Sequence, residues 1–226
     1  MDKNEYSGYF RTHVKIDFGI ESIWKDSQFV YSQLNLVNKY ISLDSIKTYP
    51  TLEIGSGMGR LALLLDERGF LNYNGIDLDD EAVEFCKKNL KLKNYIFFND
   101  SINGFANSQS GIFKNIFCFE TLEHLRDPWE GVKVISKMLQ KDGLFIGSAP
   151  YPFKRNILGD ETHLNVLHPL NWKRVFEKNG FQVLIIRPMT FLPYLWRIHR
   201  ELNVILPFYV PLFNLVSTSL IIAKKI

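Results

Sequence analysis

Three glycines, spaced Gly55-x-Gly57-x-Gly59, follow a short apolar run and precede a helical apolar pattern at Leu61, Leu63, Leu64 and Leu65. Without a Cβ the backbone can turn with φ > 0 and let a ligand lie against it. The helix that follows offers unpaired N–H groups and the positive end of its dipole. Glu53 stands two positions before the first glycine. A carboxylate there opposes the pyrophosphate that a G-x-G-x-x-G spacing serves, and it suits a ligand carrying positive charge. Asp77 closes a second apolar run about 20 residues past the turn, where one carboxylate can accept from both hydroxyls of a ribose. The alternative for Asp77 is a helix-capping acid. Leu78, next to it, could flank an adenine face.

A second constellation lies further on. Glu120, Glu123 and His124 stand at i, i+3 and i+4, followed by Asp127-Pro128, and an Asp160-x-Thr162-His163 stretch comes later. His124 and His163 are the candidate general bases, each near the end of a predicted strand; the plainer reading is a hydrogen-bonded structural histidine. On one helical face Glu120, Glu123 and His124 could bind a divalent ion, with His163 or His168 completing the set. Against this stands a reading without metal, in which Glu120 touches a cofactor, Glu123 is solvated and His124 packs; no metal ligand is assigned.

These residues need elements to place them. Apolar spacing predicts a helix over 27–41, and Pro50 opens the first strand. The helix after the glycines runs to about Glu67, with Gly69 as its C-cap. A strand over 71–77 leads to a helix over 81–90, capped by Asp79 or Asp80. Strands follow at 95–98 and 112–119, the latter with almost no polar break, as in a buried parallel strand. Asp127 as N-cap and Pro128 at N1 start a helix through Gln140. A fifth strand covers 144–149, a helix begins at Pro169, a sixth strand covers 182–187, and a seventh, antiparallel, covers 219–224. The β-α alternation argues an α/β fold: a Rossmann-like, doubly wound seven-stranded sheet, mostly parallel with an antiparallel last strand. Ligands bind such sheets at the carboxyl ends of the strands, and Glu53, Asp77, Asp100 and Glu120 all fall there.

The E-x-G-x-G-x-G pattern at Glu53–Gly59 resembles the first motif of the class I S-adenosylmethionine-dependent methyltransferases. Glu120-x-x-Glu123-His124 followed by Asp127-Pro128 resembles the branch containing ubiquinone-biosynthesis O-methyltransferases, as does Asp160-x-Thr162-His163. The resemblance covers roughly residues 50–187 well and 215–224 loosely. It implies S-adenosyl-L-methionine as cofactor, held by Glu53, Gly55, Ser56, Gly57, Gly59, Asp77, Leu78, Asp100, Ser101 and Glu120. In that family the acid after the first strand lies near the amino acid part of the cofactor, and the glycines accommodate its methionine and ribose. An acid in the place of Asp100 contacts the adenine amino group there. Lys114 departs from the family, which often has an Asp in that place. Some members of the branch use a metal at the Glu-x-x-Glu-His stretch. The activity implied is methyl transfer to an O or C acceptor on a small, apolar or amphipathic molecule. Metal-assisted RNA 2′-O-methylation and a cofactor-binding scaffold without turnover are the alternatives.

The totals agree with one domain over 1–226, with 1–45 as an N-terminal helical or cap segment and 188–214 as an apolar insertion before the last strand. The chain is 23% charged with a net charge of +3, too weak to argue for nucleic acid. Lys87, Lys88, Lys91 and Lys93 read as the solvated face of one helix. Cys86 and Cys118 read as small buried hydrophobes in a reducing compartment. The start shows no apolar signal-peptide core, so a cytoplasmic protein is expected. Residues 1–25 hold Tyr6, Phe10, His13 and Trp24 and are expected to fold over the cofactor cleft or pack as an arm. For 188–214 three roles stay open: a lid over a greasy substrate, a packing or dimer contact, or a shallow membrane contact. Pro207, Pro211 and the polar Ser217-Thr218-Ser219 disfavour a span. Oligomeric state is not readable.

Overall fold

The computed structural model describes residues 28–192, 204–211 and 215–226. Its helices are α1 (Gln28–Asn38), α2 (Arg60–Glu67), α3 (Asp80–Asn89), α4 (Ile102–Ala106), α5 (Pro128–Met138), α6 (Lys154–Leu158) and α7 (Pro169–Lys178). Its strands are β1 (Thr51–Ile54), β2 (Tyr73–Asp77), β3 (Tyr95–Asn99), β4 (Phe113–Phe119), β5 (Leu139–Pro150), β6 (Phe181–Leu192), β7 (Val204–Leu206) and β8 (Val216–Lys225). They form one sheet in the order β3-β2-β1-β4-β5-β8-β6-β7. β1 through β5 pair in parallel, and β8 lies antiparallel between β5 and β6.

β1 is the pivot: it pairs with β2 on one side and β4 on the other. The strand order reverses there, so the turns after β1 and β4 diverge and leave a crevice between them. All four residues of β1 are buried, as a strand covered on both faces requires. Two cores do the covering. One packs α2 and α3 through Leu61, Leu64, Leu65, Ala82 and Cys86, with Leu34 and Val37 of α1. The other packs α5 and α7 through Val132, Ile135, Trp172 and Phe176. Each buried leucine contributes roughly 1.5–3 kcal/mol relative to exposure, so the leucine run fastens α2 and holds the glycine turn that precedes it. Cys86 and Cys118 are both buried free thiols.

The expected α/β architecture stands, with one correction: the sheet has eight strands, not seven. β6 does not stop at Arg187. It continues through Pro188 to Leu192, and Val204–Leu206 turns back to pair with Thr190–Leu192. At Pro188 no β7 partner is present, and a strand tolerates proline where that side is an open edge. The region expected as an insertion over 188–214 is thus partly sheet. The helix expected through Gln140 ends at Met138, because Leu139 already pairs with Phe113 at the start of β5. The Lys141-Asp142-Gly143 stretch is a bulge in that strand, with Asp142 at φ 58°. The expectation for residues 1–25, and the part of the insertion holding Tyr194, Trp196, Arg197, His199 and Arg200, lie outside the described residues. Among the described residues no helix is long and apolar enough to cross a membrane.

Candidate active site

A cavity of about 460 Å³ opens in the crevice between the turns after β1 and β4. That volume falls within the range of small-molecule sites. Glu53, Gly55, Ser56, Gly57, Asp77, Leu78, Asp100, Ser101, Glu120 and His124 all line it. Gly59 and His163 do not.

On the β1–β3 side the backbone builds the wall. Gly55 has φ 77°, and a Cβ there would stand 2.2 Å from the Thr121 Oγ1 after β4. Glycine is therefore required for the turns after β1 and β4 to meet. Gly59 (φ 76°) serves packing instead: its Cβ would meet Leu90 at 2.4 Å and the Cys86 sulfur at 3.2 Å. The Gly57 N–H donates to Asp77 Oδ2 at 2.7 Å, and the Asp79 N–H donates to Asp77 Oδ1 at 2.9 Å. Each carboxylate oxygen keeps lone-pair capacity for a further donor. Although Asp77 is part-exposed to the cavity, its surroundings desolvate it and push its carboxyl up to about 6, against the pull of the backbone N–H groups. Asp79, not Asp77, caps α3, accepting from the Ala82 N–H at 3.1 Å. Asp100 accepts from the Ser101 N–H at 2.8 Å, and the Ser101 hydroxyl caps α4.

Glu53 lies beneath this wall, 5% exposed, and accepts from the Tyr73 hydroxyl. Burial pushes its carboxyl well above the usual range; the Tyr73 bond opposes the shift and the Asp77 charge adds to it. The Ser56 hydroxyl is buried beside it with no hydrogen-bond partner.

The β4–β8 side is built by side chains. Glu120 takes φ 47°, a left-handed backbone rare for a residue with a Cβ. Its Oε1 accepts from Ser148 Oγ at 2.5 Å and Thr218 Oγ1 at 2.7 Å. Gln33 of α1 donates to the same Ser148 hydroxyl at 3.1 Å. Burial raises the Glu120 carboxyl, against those hydroxyl bonds. Glu120 is therefore bonded to β5 and β8 while its charge still reaches Glu123, and the helical face expected over 120–124 is a 3₁₀ turn, Leu122–His124.

Glu123 was expected in solvent; it is 1% exposed. Burial and then the Glu120 charge push its carboxyl well above the usual range, and its Oε2 has no hydrogen-bond partner among the described residues. His124 Nε2 lies 3.9 Å and His163 Nε2 4.0 Å from Glu123 Oε1, and the two imidazole rings meet edge-on at 5.0 Å. His124 Nδ1 is 3.0 Å from the Thr162 carbonyl and His163 Nδ1 is 2.6 Å from the Asn156 carbonyl. A carbonyl only accepts, so in the neutral rings both Nδ1 atoms carry the proton and both Nε2 atoms keep a lone pair. Burial and the neighbouring His163 lower the pKa of His124, keeping it neutral at neutral pH. Asp160 also approaches His163 Nε2, at 3.8 Å. One ligand atom each from Glu123, His124 and His163 falls within a 4.8 Å cluster. His168 takes no part: it caps α7 and sits edge-on to Tyr151.

Residues outside the sequence reading complete the cavity, notably Phe29, Val30 and Gln33 of α1, Thr121, Arg60 and Arg126. No local motif marks the α1 residues, since their role depends on where the helix crosses the sheet.

A family model described as a methyltransferase domain matches residues 39–185. The ribosomal protein L11 methyltransferase of Clostridium perfringens is 26% identical over 179 residues, 76% of this chain and 48% of the relative. The ubiquinone biosynthesis O-methyltransferase of Neisseria meningitidis serogroup C is 25% identical over 192 residues, 74% of this chain and 80% of the relative. The chain spans about half the length of the first curated relatives it matches. Among solved structures, magnesium protoporphyrin IX methyltransferase from Synechocystis, with bound S-adenosylmethionine, superposes with a TM-score of 0.64 at 15% identity, over 100% of this chain and 98% of that one. A SAM-dependent methyltransferase from Archaeoglobus fulgidus superposes with a TM-score of 0.63 at 20% identity, over 88% of this chain and 94% of that one. At those identities the likeness is one of fold.

Proposed function

The chain belongs to the methyltransferase-domain family, of the class I S-adenosylmethionine-dependent kind, and from that premise we propose that it moves a methyl group to an oxygen or carbon on a small, apolar or amphipathic molecule. One observation carries the reading. A single cavity brings the glycine turn, Asp77 and Asp100 on one wall against His124 on the other, with His163 behind it. The cofactor would supply a methyl group on a sulfonium, activated for in-line displacement. Asp77 would accept from the ribose hydroxyls, Asp100 would meet the adenine, and the turn over Gly55–Gly57 would receive the methionine portion. On the facing wall, the neutral His124 Nε2 would take the proton that a hydroxyl or carbon acid must lose. His163 would support it from behind.

A second reading rests on the buried, unpartnered Glu123 Oε2 beside two imidazole lone pairs. Glu123, His124 and His163 would then hold a divalent ion. Its chemistry would be to lower the pKa of an acceptor hydroxyl. A protein acceptor would follow the likeness to the L11 enzyme, of which this chain covers only half. For a peripheral membrane contact, the described residue of the insertion best placed is Phe208, 53% exposed.

The deciding experiment is calorimetric titration with S-adenosylmethionine and S-adenosylhomocysteine, with and without Mg²⁺ or Zn²⁺. Micromolar binding unaffected by metal favours the histidine base. Tighter binding with metal favours the ion at Glu123. Absence of any binding would falsify the cofactor assignment.

A further inference from the structure

α6 is an anomaly: it has five residues, and none of them is buried. Ile157 is 45% and Leu158 69% exposed, so no apolar face fastens it. The Asn156 side chain ties it to the sheet. Asn156 Nδ2 donates to the Tyr151 carbonyl at 2.7 Å and to the Ser217 carbonyl at 3.3 Å. The Asn156 carbonyl is the group that accepts from His163 Nδ1, at 2.6 Å.

The residues whose carbonyls hold Asn156 also dock the apolar insertion, through their side chains. The Ser217 hydroxyl bonds the backbone of Val210 at 3.0 Å and the Thr190 hydroxyl at 2.7 Å. The Tyr151 ring stacks on Tyr209, centroids 3.7 Å apart, and the Tyr209 hydroxyl bonds Ser219 at 2.9 Å. A path of direct contacts thus runs from Tyr209 and Val210, through β8 and the end of β5, to Asn156 and His163. The insertion and the polar Ser217-Thr218-Ser219 triplet acquire a role that no motif suggested.

We propose that Asn156 is a positioning residue that selects which imidazole nitrogen of His163 is free, and that it carries the anchoring of the insertion to the histidine pair. With the Asn156 carbonyl in place, Nδ1 keeps its hydrogen and the Nε2 lone pair points towards Glu123 and Asp160. With the carbonyl displaced, the ring reverts to the Nε2–H form that imidazole side chains favour in water, and a donor replaces the acceptor at the centre of the cluster. His124 is held separately, by Thr162, and is unaffected. The functional weight of this device rests on the reading that the histidine pair serves the acceptor side; the tautomer itself does not.

The test uses the full chain labelled with ¹⁵N, whose imidazole tautomers are read from long-range ¹H–¹⁵N spectra. The His163 signals are assigned by their loss in His163→Gln. Wild type is expected to show both His124 and His163 as Nδ1–H. In Asn156→Ala, His163 shifts to Nε2–H or an average while His124 holds. Ser217→Ala moves His163 the same way by less. S-adenosylhomocysteine affinity stays within about twofold in both, since neither residue lines the cavity. If Asn156→Ala does not fold, Asn156→Asp keeps the shape, lacks the amide donor and carries the same test. His163 remaining Nδ1–H in a folded Asn156 variant overturns the proposal. Failure of wild type to bind S-adenosylhomocysteine would count against the cofactor reading instead and leave the tautomer result standing.

Discussion

Along the cavity wall that follows β2 and β3, the Asp77 and Asp100 carboxylates bond to backbone. Asp77 accepts from Gly57 and Asp79, 20 and 2 residues away. Across the cavity, the groups bond to distant partners. Glu120 meets Thr218 over 98 residues, Gln33 meets Ser148 over 115, and His124 meets Thr162 over 38. The first wall is a property of βα units that each place an acid at a strand end. The second exists only after β5, β8, α1 and the loop at 156–163 have assembled. On the proposed reading the contrast would match a division of labour: a constant cofactor needs a fixed wall, and the acceptor side could change by altering remote contacts.

The comparison is sharpest at its extremes. His124→Ala is expected to lower methyl transfer to a phenolic probe such as catechol by roughly 10²–10⁴-fold, with S-adenosylhomocysteine affinity nearly unchanged; an equal loss of affinity would show that the two walls are not separate. Asp77→Ala removes charge-assisted bonds of about 1.5–3 kcal/mol each, so cofactor affinity is expected to fall on the order of a hundredfold. Full affinity retained by calorimetry would contradict the ribose assignment.

Where the walls touch, they should couple. Gly55→Ala costs roughly 1–2 kcal/mol for the left-handed backbone, and it drives a Cβ against Thr121. Thr121→Ala in the same chain removes the two nearest clashing atoms but not the backbone strain, so thermal unfolding should recover part of the loss. Strict additivity of the two changes would show that the contact carries no weight.

Asp77 also sets a pH dependence. Its carboxyl is raised to about 6 by burial. The folded, empty protein therefore holds a proton that the unfolded chain has released, and this group costs stability as pH rises towards 6. Cofactor binding runs the other way: it needs the carboxylate and weakens as pH falls through about 6. Asp77→Asn should remove both trends, and a binding profile that stays pH-dependent in that variant would place the titration elsewhere. The smallest effect is expected at Thr218→Val, which deletes the hydroxyl whose single hydrogen lies between Glu120 and the Ala149 carbonyl. About 1–2 kcal/mol corresponds to a fall in Tm of roughly 2–8 °C for a chain of this size, with cofactor affinity preserved.

Much of the first wall was legible because its signals are local. Gly55 and Gly57 announce a left-handed turn, Asp77 closes an apolar run, and Asp127-Pro128 reads as a helix start and is one, its carboxylate accepting from the Trp129 N–H at 2.8 Å. Such features follow from φ preferences and capping, which neighbouring residues decide. Gly59 is the exception: it lies off the cavity, and a Cβ there would meet Cys86 of α3 and Leu90 at its C-cap.

The sequence by itself determined the α/β order, the strand ends that carry Glu53, Asp77, Asp100 and Glu120, and the family of the chain. Only the folded sheet settled that Glu123 is buried, that Glu120 bonds Ser148 and Thr218, that His163 rather than His168 joins His124, and that β6 runs on to pair with β7. The reason is physical. Periodicity and turn chemistry record what each residue's neighbours impose. The protonation, tautomer and partner of a buried side chain depend on groups that only the folded sheet brings within hydrogen-bond reach.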